Sequence, residues 1–310
     1  MILVVEENPE GGMGMNKINT INFDFISRIL YILDTKDFIE ISEIKYDNQI
    51  RSIVSESICN KVRVVRIAGP SGSGKTTTAQ RVVDEFISRG IPAHCISMDN
   101  WYKTMGVCDT PLTDDGELDF ESPELLDIHG FKEDIRNLIA GKTIHLREFD
   151  FVNRISTEAT ETLTLEPNGV LVVEGLHAIN PMFDVPELDY RVYVEPSSVK
   201  FEDGTLLSSK ELRMFRRIHR DQADRGMTLE ATVAKCKSVD KGQDRYITPY
   251  INNPEIFKVD TLIYYELYIH KNSLSGILDS KILDLIPNKD ITDSDILDRS
   301  ILREFYKKQQ

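Results

Sequence analysis

The chain has 310 residues, 41% of them hydrophobic and 28% charged, with a formal net charge of −14. Such a composition supports a large buried core in one or two domains. So acidic a surface disfavours nonspecific binding to nucleic acid or anionic lipid and leaves small anions only a locally basic site. Cys59, Cys95, Cys108 and Cys236 are scattered, with no CxxC pair and no histidine at zinc spacing, which predicts reduced thiols in a cytoplasmic protein. The opening "MILVVEENPEGG" lacks the basic region and apolar length of a signal peptide, and Met13 and Met15 are alternative starts. No stretch reaches the roughly 18 apolar residues of a membrane span.

Residues 22–59 predict two helical stretches, around "FDFISRILYIL" and "NQIRSIVSESIC". "VRVVRIA" (62–68) is a β-branched run and predicts a strand. "KTTTAQRVVDEFISRG" follows as a helix, with Val82, Val83, Phe86 and Ile87 on one face and Gly90 as its stop. "AHCISM" (93–98) is a second strand, and residues 99–123 concentrate loop signals. "GFKEDIRNLIAGK" predicts a helix ending at Gly141, and "GVLVVEGL" (169–176) and "YRVYVE" (190–195) predict further strands. "SKELRMFRRIHRDQADRG" (209–226) is an arginine-rich helix, "DTLIYYEL" (260–267) predicts the last strand, and the tail after Lys271 reads as helical. Strands alternating with helices predict an α/β fold, a mostly parallel sheet covered on both faces, with ligands at the carboxyl ends of its strands.

Gly69-Pro-Ser-Gly-Ser-Gly-Lys75-Thr76 fits GxxxxGK[ST], between a predicted strand and a predicted helix. In that setting glycines turn backbone N–H groups inward around phosphate oxygens, and the helix dipole adds attraction. Gly69, Ser71, Gly72, Ser73, Gly74, Lys75, Thr76 and Thr77 are the candidate nucleotide-binding residues. Lys75 would reach the β- and γ-phosphates of a nucleoside triphosphate, and the Thr76 hydroxyl would ligate Mg²⁺.

The acceptor is then the question. "NKDI" (288–291) fails the NKxD that reads guanine in GTPases. "HRD" (219–221) lacks the later asparagine of protein kinases, which have no such phosphate loop. Asp99 follows the strand "AHCISM" and is either a general base for an attacking hydroxyl or a loop and cap aspartate. Glu174 ends "VLVVE", an acid after apolar residues that could hold Mg²⁺ or be an ordinary strand-end charge. Arg213, Arg217 and Arg220 recur on one helix face, beside Arg216 and Arg225. They either clamp phosphates or form a solvated face paired with Glu211, Asp221 and Asp224.

"GPSGSGKTT", "ISMDNWYK", "LDFESPELLD", "REFDF", "VLVVEGLHAINP" and "RRIHRDQADRG" run in the order found in the uridine kinase/phosphoribulokinase family, which the chain resembles over about residues 50–270. "DDGELDFESPELLD", "PYINN", "YYEL" and "SILREF" resemble the kinase half of bacterial proteins in which such a domain follows a threonyl-tRNA-synthetase-like region. The resemblance implies a P-loop kinase fold and Asp99 as catalytic base, also near Mg²⁺, with Glu174 as Mg²⁺ ligand. It implies Tyr102, Phe120, Phe149 and Phe151 around a nucleoside, with Glu121 on the ribose hydroxyls, and Arg217, Arg220 and Arg225 as lid and substrate-clamp arginines. Glu121 stands where the family has Asp, and Phe149 where it has Tyr. Arg154 replaces the histidine of pyrimidine-specific members, and Met227 replaces a further lid arginine. An arginine only donates hydrogen bonds, so Arg154 would read a carbonyl, meet a phosphate or face water. Plain core packing is the other reading of Phe120, Phe149 and Phe151.

The expectation is a kinase with a helical extension over 1–60, a P-loop kinase domain over 61–271 and a helical tail over 272–310. It would pass the γ-phosphate of ATP or GTP, with Mg²⁺, to a nucleoside 5′-hydroxyl. A phosphorylated sugar or other small anionic acceptor is the alternative, and a non-catalytic nucleotide-binding regulator the third. The expected partner is a small molecule, with neither nucleic acid nor membrane, and the family resemblance implies a homo-oligomer.

Overall fold

The β-branched run expected at 62–68 forms a strand over Val64–Ala68 in which every residue is buried. Strands covered on both faces require such unbroken burial. The computed structural model describes residues 20–104, 106, 110–113, 115–151, 153–185, 189–276 and 281–306; Cys108, Met13, Met15 and the opening twelve residues lie outside these. In chain order the elements are β1 (Ile21–Asn22), α1 (Phe23–Ile32), α2 (Thr35–Cys59), β2 (Val64–Ala68), α3 (Lys75–Ser88), β3 (Ala93–Ser97) and α4 (Ile128–Ile139). Then follow β4 (Ile144–Asp150), β5 (Ile155–Leu163), β6 (Val170–Glu174), β7 (Asp189–Glu195), β8 (Val199–Lys200) and β9 (Leu206–Leu207). The chain ends in α5 (Ser209–Arg225), α6 (Leu229–Tyr246), β10 (Ile256–Asp260), α7 (Glu266–Leu274) and α8 (Lys281–Leu285).

Five parallel strands form the central sheet, in the order β10-β7-β2-β6-β3. Val65 and Ile67 of β2 face one apolar core, shared with α1, α2, α3, α5, α7 and the segment 301–306. Val64 and Ala68 face the other, shared with α4, Trp101, Phe131 and Phe183. The fold is therefore the expected α/β P-loop architecture, with helices on both faces. No described helix is long and apolar enough to cross a membrane.

Several expectations need correction. The last strand is Ile256–Asp260, ahead of the expected 260–267. Thr261, Leu262 and Ile263 belong to no regular element, Tyr264 and Tyr265 form a turn, and α7 begins at Glu266. Leu267, Tyr268, Ile269 and His270 are all buried, so the start of α7 shows no polar stripe and its apolar run mimics a strand. Ile87 does not share the buried face of α3; it is 55% exposed, and Ala79 completes that face with Val82, Val83 and Phe86. Past Lys271 the described chain is helical only to Leu274 and over Lys281–Leu285, with single turns at Asp293–Asp295 and Ile301–Glu304.

Helix α5 is built for its position. Ser208 and Glu211 form a capping box at its start, and Gly226 closes it at a φ of 58°. Arg216, on α5, is fully buried. Its guanidinium bonds both carboxylate oxygens of Glu266, at 2.8 and 2.7 Å, the Thr261 carbonyl at 2.7 Å, and the Gly72 and Ser73 carbonyls at 3.3 and 3.4 Å. This single side chain ties α5, α7 and the turn after β10 to the loop between β2 and α3. Burial alone would raise the Glu266 carboxyl, but Arg216 and His270 pull it down from the ordinary 4.5 to about 2.

Glu266→Ala strands a buried guanidinium, so we expect a loss of about 3–5 kcal/mol in denaturant unfolding. A folded pKa below the unfolded one gives stability that is complete above about pH 4.5 and is lost as pH falls toward about 2. Glu266→Gln should flatten the stability curve over that window; an unchanged slope would refute the assignment.

Candidate active site

The glycines of the loop after β2 are needed by geometry. Gly72 and Gly74 hold φ of 83° and 89°, in the left-handed region. A Cβ on Gly72 would stand 2.9 Å from the Arg213 carbonyl, and one on Gly74 would stand 2.3 Å from Ile301 Cδ1. Ser73 is buried, and its carbonyl accepts from Thr261 Oγ1 at 2.8 Å. Ser71 gives its carbonyl to Arg213 at 3.2 Å and its hydroxyl oxygen to Arg220 at 3.4 Å. Gly69 ends the strand side of the loop, Lys75 and Thr76 open α3, and Thr76 is exposed.

Strand register brings the two expected carboxylates to this loop. Glu174 ends β6 opposite Ile67 of β2 on one side and Ser97 of β3 on the other. Asp99 lies in the single turn Met98–Trp101 that follows β3. Burial pushes both carboxyls up, and the Lys75 ammonium acts on both in the opposite direction. Glu174 is 6% exposed, and its Oε2 is buried with no hydrogen-bond partner. That orphaned oxygen beside a phosphate loop suits a cation. Among the described residues no cluster of three or more His, Cys, Asp or Glu could cage a metal alone. Mg²⁺ bound through one or two carboxylates plus phosphates needs no such cage.

Glu121 joins the same charge field. Burial and the Asp99 charge push its carboxyl up, while Lys75 and Arg217 pull it down. Its carbonyl accepts from His177 Nε2 at 3.0 Å, and a Cβ on Gly242 of α6 would touch its Cβ at 2.6 Å. Burial holds His177 neutral, with a pKa lowered to about 4. Next to it Asp119 is buried and accepts from Tyr246 at 2.6 Å and Arg245 at 3.2 Å. Helix α6, absent from the sequence reading, thus fixes the loop that carries Glu121.

Three of the aromatic residues gather beside Asp99 and Glu121. Tyr102, Phe149 and Phe151 lie with ring centroids 5.2, 6.1 and 5.0 Å apart. Burial and the nearby Asp99 and Glu121 charges raise the Tyr102 phenol far above its ordinary value. Phe151 is 62% exposed and Phe120 43%. Core packing therefore fails as the account of these two rings. Phe149 and Phe151 are presented by the antiparallel β4–β5 hairpin, which the sequence reading lacked. Arg154, in the turn of that hairpin at a φ of 57°, lays its guanidinium 4.7 Å over the Phe120 ring.

The arginine helix is not a solvated face. Arg213 and Arg217 are each 2% exposed, and Arg213 is spent on Ser71, Asp240 and Gln243. Arg217, Arg220 and Arg225 converge on one buried carboxylate, Asp221, at 3.8, 2.8 and 3.5 Å. Glu211 instead caps the helix. Arg220 reaches the phosphate loop and Arg217 the field of Glu121, whereas Arg225 is half exposed and bonded to Asp221. Glu266 and Thr261 are residues around the loop that sequence reasoning missed, and Asp221 entered it only as a partner in a solvated face. The one available signal was Asp221 spaced four residues from both Arg217 and Arg225.

A phosphate loop on a parallel sheet, the buried Glu174 and part-buried Asp99 within the field of its lysine, and an arginine helix over it define a P-loop phosphotransferase. A profile described as "Phosphoribulokinase / Uridine kinase family" matches residues 64–259, and the chain belongs to that family. It is 30% identical over 197 residues to a protein named uridine kinase from Borrelia hermsii, covering 61% of this chain and 82% of that one. A protein of the same name from Halobacterium salinarum is 27% identical over 193 residues, covering 62% of this chain and 77% of that one. Among solved structures, D-glycerate 3-kinase from Cryptococcus neoformans superposes with a TM-score of 0.45 at 13% identity, over 67% of this chain and 88% of the other.

Since Phe151 supports no core, Phe151→Ala should change unfolding free energy by less than about 1 kcal/mol, whereas Phe131→Ala, which empties a buried site, should cost about 3–5 kcal/mol. Similar losses in paired denaturant curves would return Phe151 to the core.

Proposed function

We propose that this kinase transfers the γ-phosphate of ATP or GTP to the 5′-hydroxyl of a nucleoside. The observation that carries the reading is Asp99, part-buried in the turn after β3, within the field of Lys75 and beside Tyr102, whose ring packs with Phe149 and the exposed Phe151. An acceptor stacked on Tyr102, Phe149 and Phe151, with Phe120 at the rim, would present a hydroxyl to that carboxylate. Glu121 is one methylene longer than aspartate and would accept from the ribose hydroxyls.

Asp99 would take the hydroxyl proton as the oxygen bonds to γ-phosphorus and the bond to the bridging oxygen of the β-phosphate breaks. Its raised proton affinity suits that task. Gly69, Ser71, Gly72, Ser73, Gly74 and Thr77 would line the donor phosphates, and Lys75, Arg217 and Arg220 would offset the charge of the transferring group. Glu174, Asp99 and Thr76 would hold Mg²⁺, which would supply charge neutralisation for the donor phosphates. Arg225 would clamp the acceptor from the end of α5. The motifs "PYINN" and "SILREF" further support a place on the branch whose kinase half follows a threonyl-tRNA-synthetase-like region.

A second reading, a phosphorylated sugar or other anionic acceptor, draws support from Arg154, an exposed cation stacked on Phe120 at the mouth. The test is ADP and GDP release with Mg²⁺ across nucleosides, ribulose 5-phosphate and pantothenate. We expect turnover on a nucleoside, and Asp99→Asn should retain donor binding while lowering kcat about 10²–10⁴-fold. Turnover confined to an anionic acceptor would select the second reading, and donor binding without any turnover would select a regulator. Full activity in Asp99→Asn would remove Asp99 as base.

A further inference from the structure

A helix leaves its first amides without backbone partners. In α3 the Thr78 amide is the first to reach back, to the Gly74 carbonyl at 2.9 Å. The Thr77 amide before it belongs to the set that a phosphate loop turns toward an anion, where the helix dipole favours negative charge. That position is filled from the far end of the chain. Glu304 Oε2 accepts from the Thr77 hydroxyl at 2.7 Å and from the Thr77 amide at 3.3 Å.

The contact is held by packing rather than by a loose tail. Ile301 is fully buried against Gly74, and Phe305 is buried with the Arg216 guanidinium 5.1 Å over its ring. Ser300 is buried, and Tyr265 donates to its hydroxyl oxygen at 3.3 Å. The Glu304 charge also acts on Glu174 across the loop. Beside Glu304 a cleft of about 540 Å³, lined by Thr77, Arg81, Ser300 and Arg303, leaves room for the carboxylate to swing away. All of these contacts come from residues beyond 259, where the family match ends.

We propose that Glu304 is a donor-site residue: its carboxylate holds the Thr77 amide and hydroxyl that a donor phosphate needs, so that nucleotide binding must displace it. The inference rests on the donor reading of the phosphate loop. Glu304 sets donor affinity through a contact that the chain makes with itself, and the cost of breaking it is subtracted from every nucleotide bound there.

Equilibrium titration of ADP and of ATP, with and without Mg²⁺, into the full chain and Glu304→Gln tests this. The variant should bind both nucleotides about tenfold tighter, the size of one charge-assisted hydrogen bond lost from the competitor. Equal or weaker affinity in the variant, while the unaltered chain binds, overturns the proposal and leaves the donor site standing. Absence of binding by both proteins overturns the donor reading and the proposal together. Amide hydrogen exchange on the unaltered chain needs no variant: ADP should lower protection across 300–306, and unchanged or greater protection overturns the displacement.

Discussion

Arg216 has no exposed surface, so its charge must find inside the protein everything that water would have supplied. A buried guanidinium is tolerable only when its donors are met and its charge is opposed. Glu266 opposes the charge, and carbonyls from Thr261, Gly72 and Ser73 meet the donors. Two of those carbonyls belong to the phosphate loop, whose amides must face inward toward an anion. Arg216 draws its carbonyls outward, which is the same rotation seen from the other side of each peptide. The curvature of the loop and the burial of this charge are one arrangement.

Helix α5 consequently carries two kinds of arginine. Arg213 and Arg216 brace the loop from beneath, while Arg217 and Arg220 lie toward the space where phosphates would sit. Asp221 collects the second group and is itself fully buried. Its Oδ2 and the Arg217 Nε are buried without hydrogen-bond partners. The arginines are thus held in place by one shared carboxylate. Preorganised charge of this kind needs little rearrangement when a ligand arrives.

The phosphate loop was legible because its whole mechanism lies in consecutive residues between a strand and a helix. The placement of Asp99 and Glu174 beside that loop was legible because a parallel sheet brings strand ends together, whatever separates them in sequence. Glu266 was not, since its partner lies 50 residues away and the first five residues of α7 are all buried. The β4–β5 hairpin alternates weakly because most of both faces meets solvent. Helix α6 buries Thr232, Cys236, Val239, Gly242 and Gln243, a stripe with too few apolar residues to announce a helix. What packing dictates could be read; what paired charges or shallow contacts dictate could not.

The hairpin that presents Phe149, Phe151 and Arg154 has almost no core of its own. A two-stranded ribbon is marginal alone, and this one is anchored at its edges, by Arg147 on Asp127 and Asp134 and by the Ser156 amide on Thr104. Its exposed ring, Phe151, therefore answers hardly at all to folding. Over evolutionary time such a surface can exchange one ring or charge for another without passing through an unstable protein, while the sheet and the phosphate loop stay fixed. Arg154 falls on this part of the molecule, where a change of side chain is least costly to the fold.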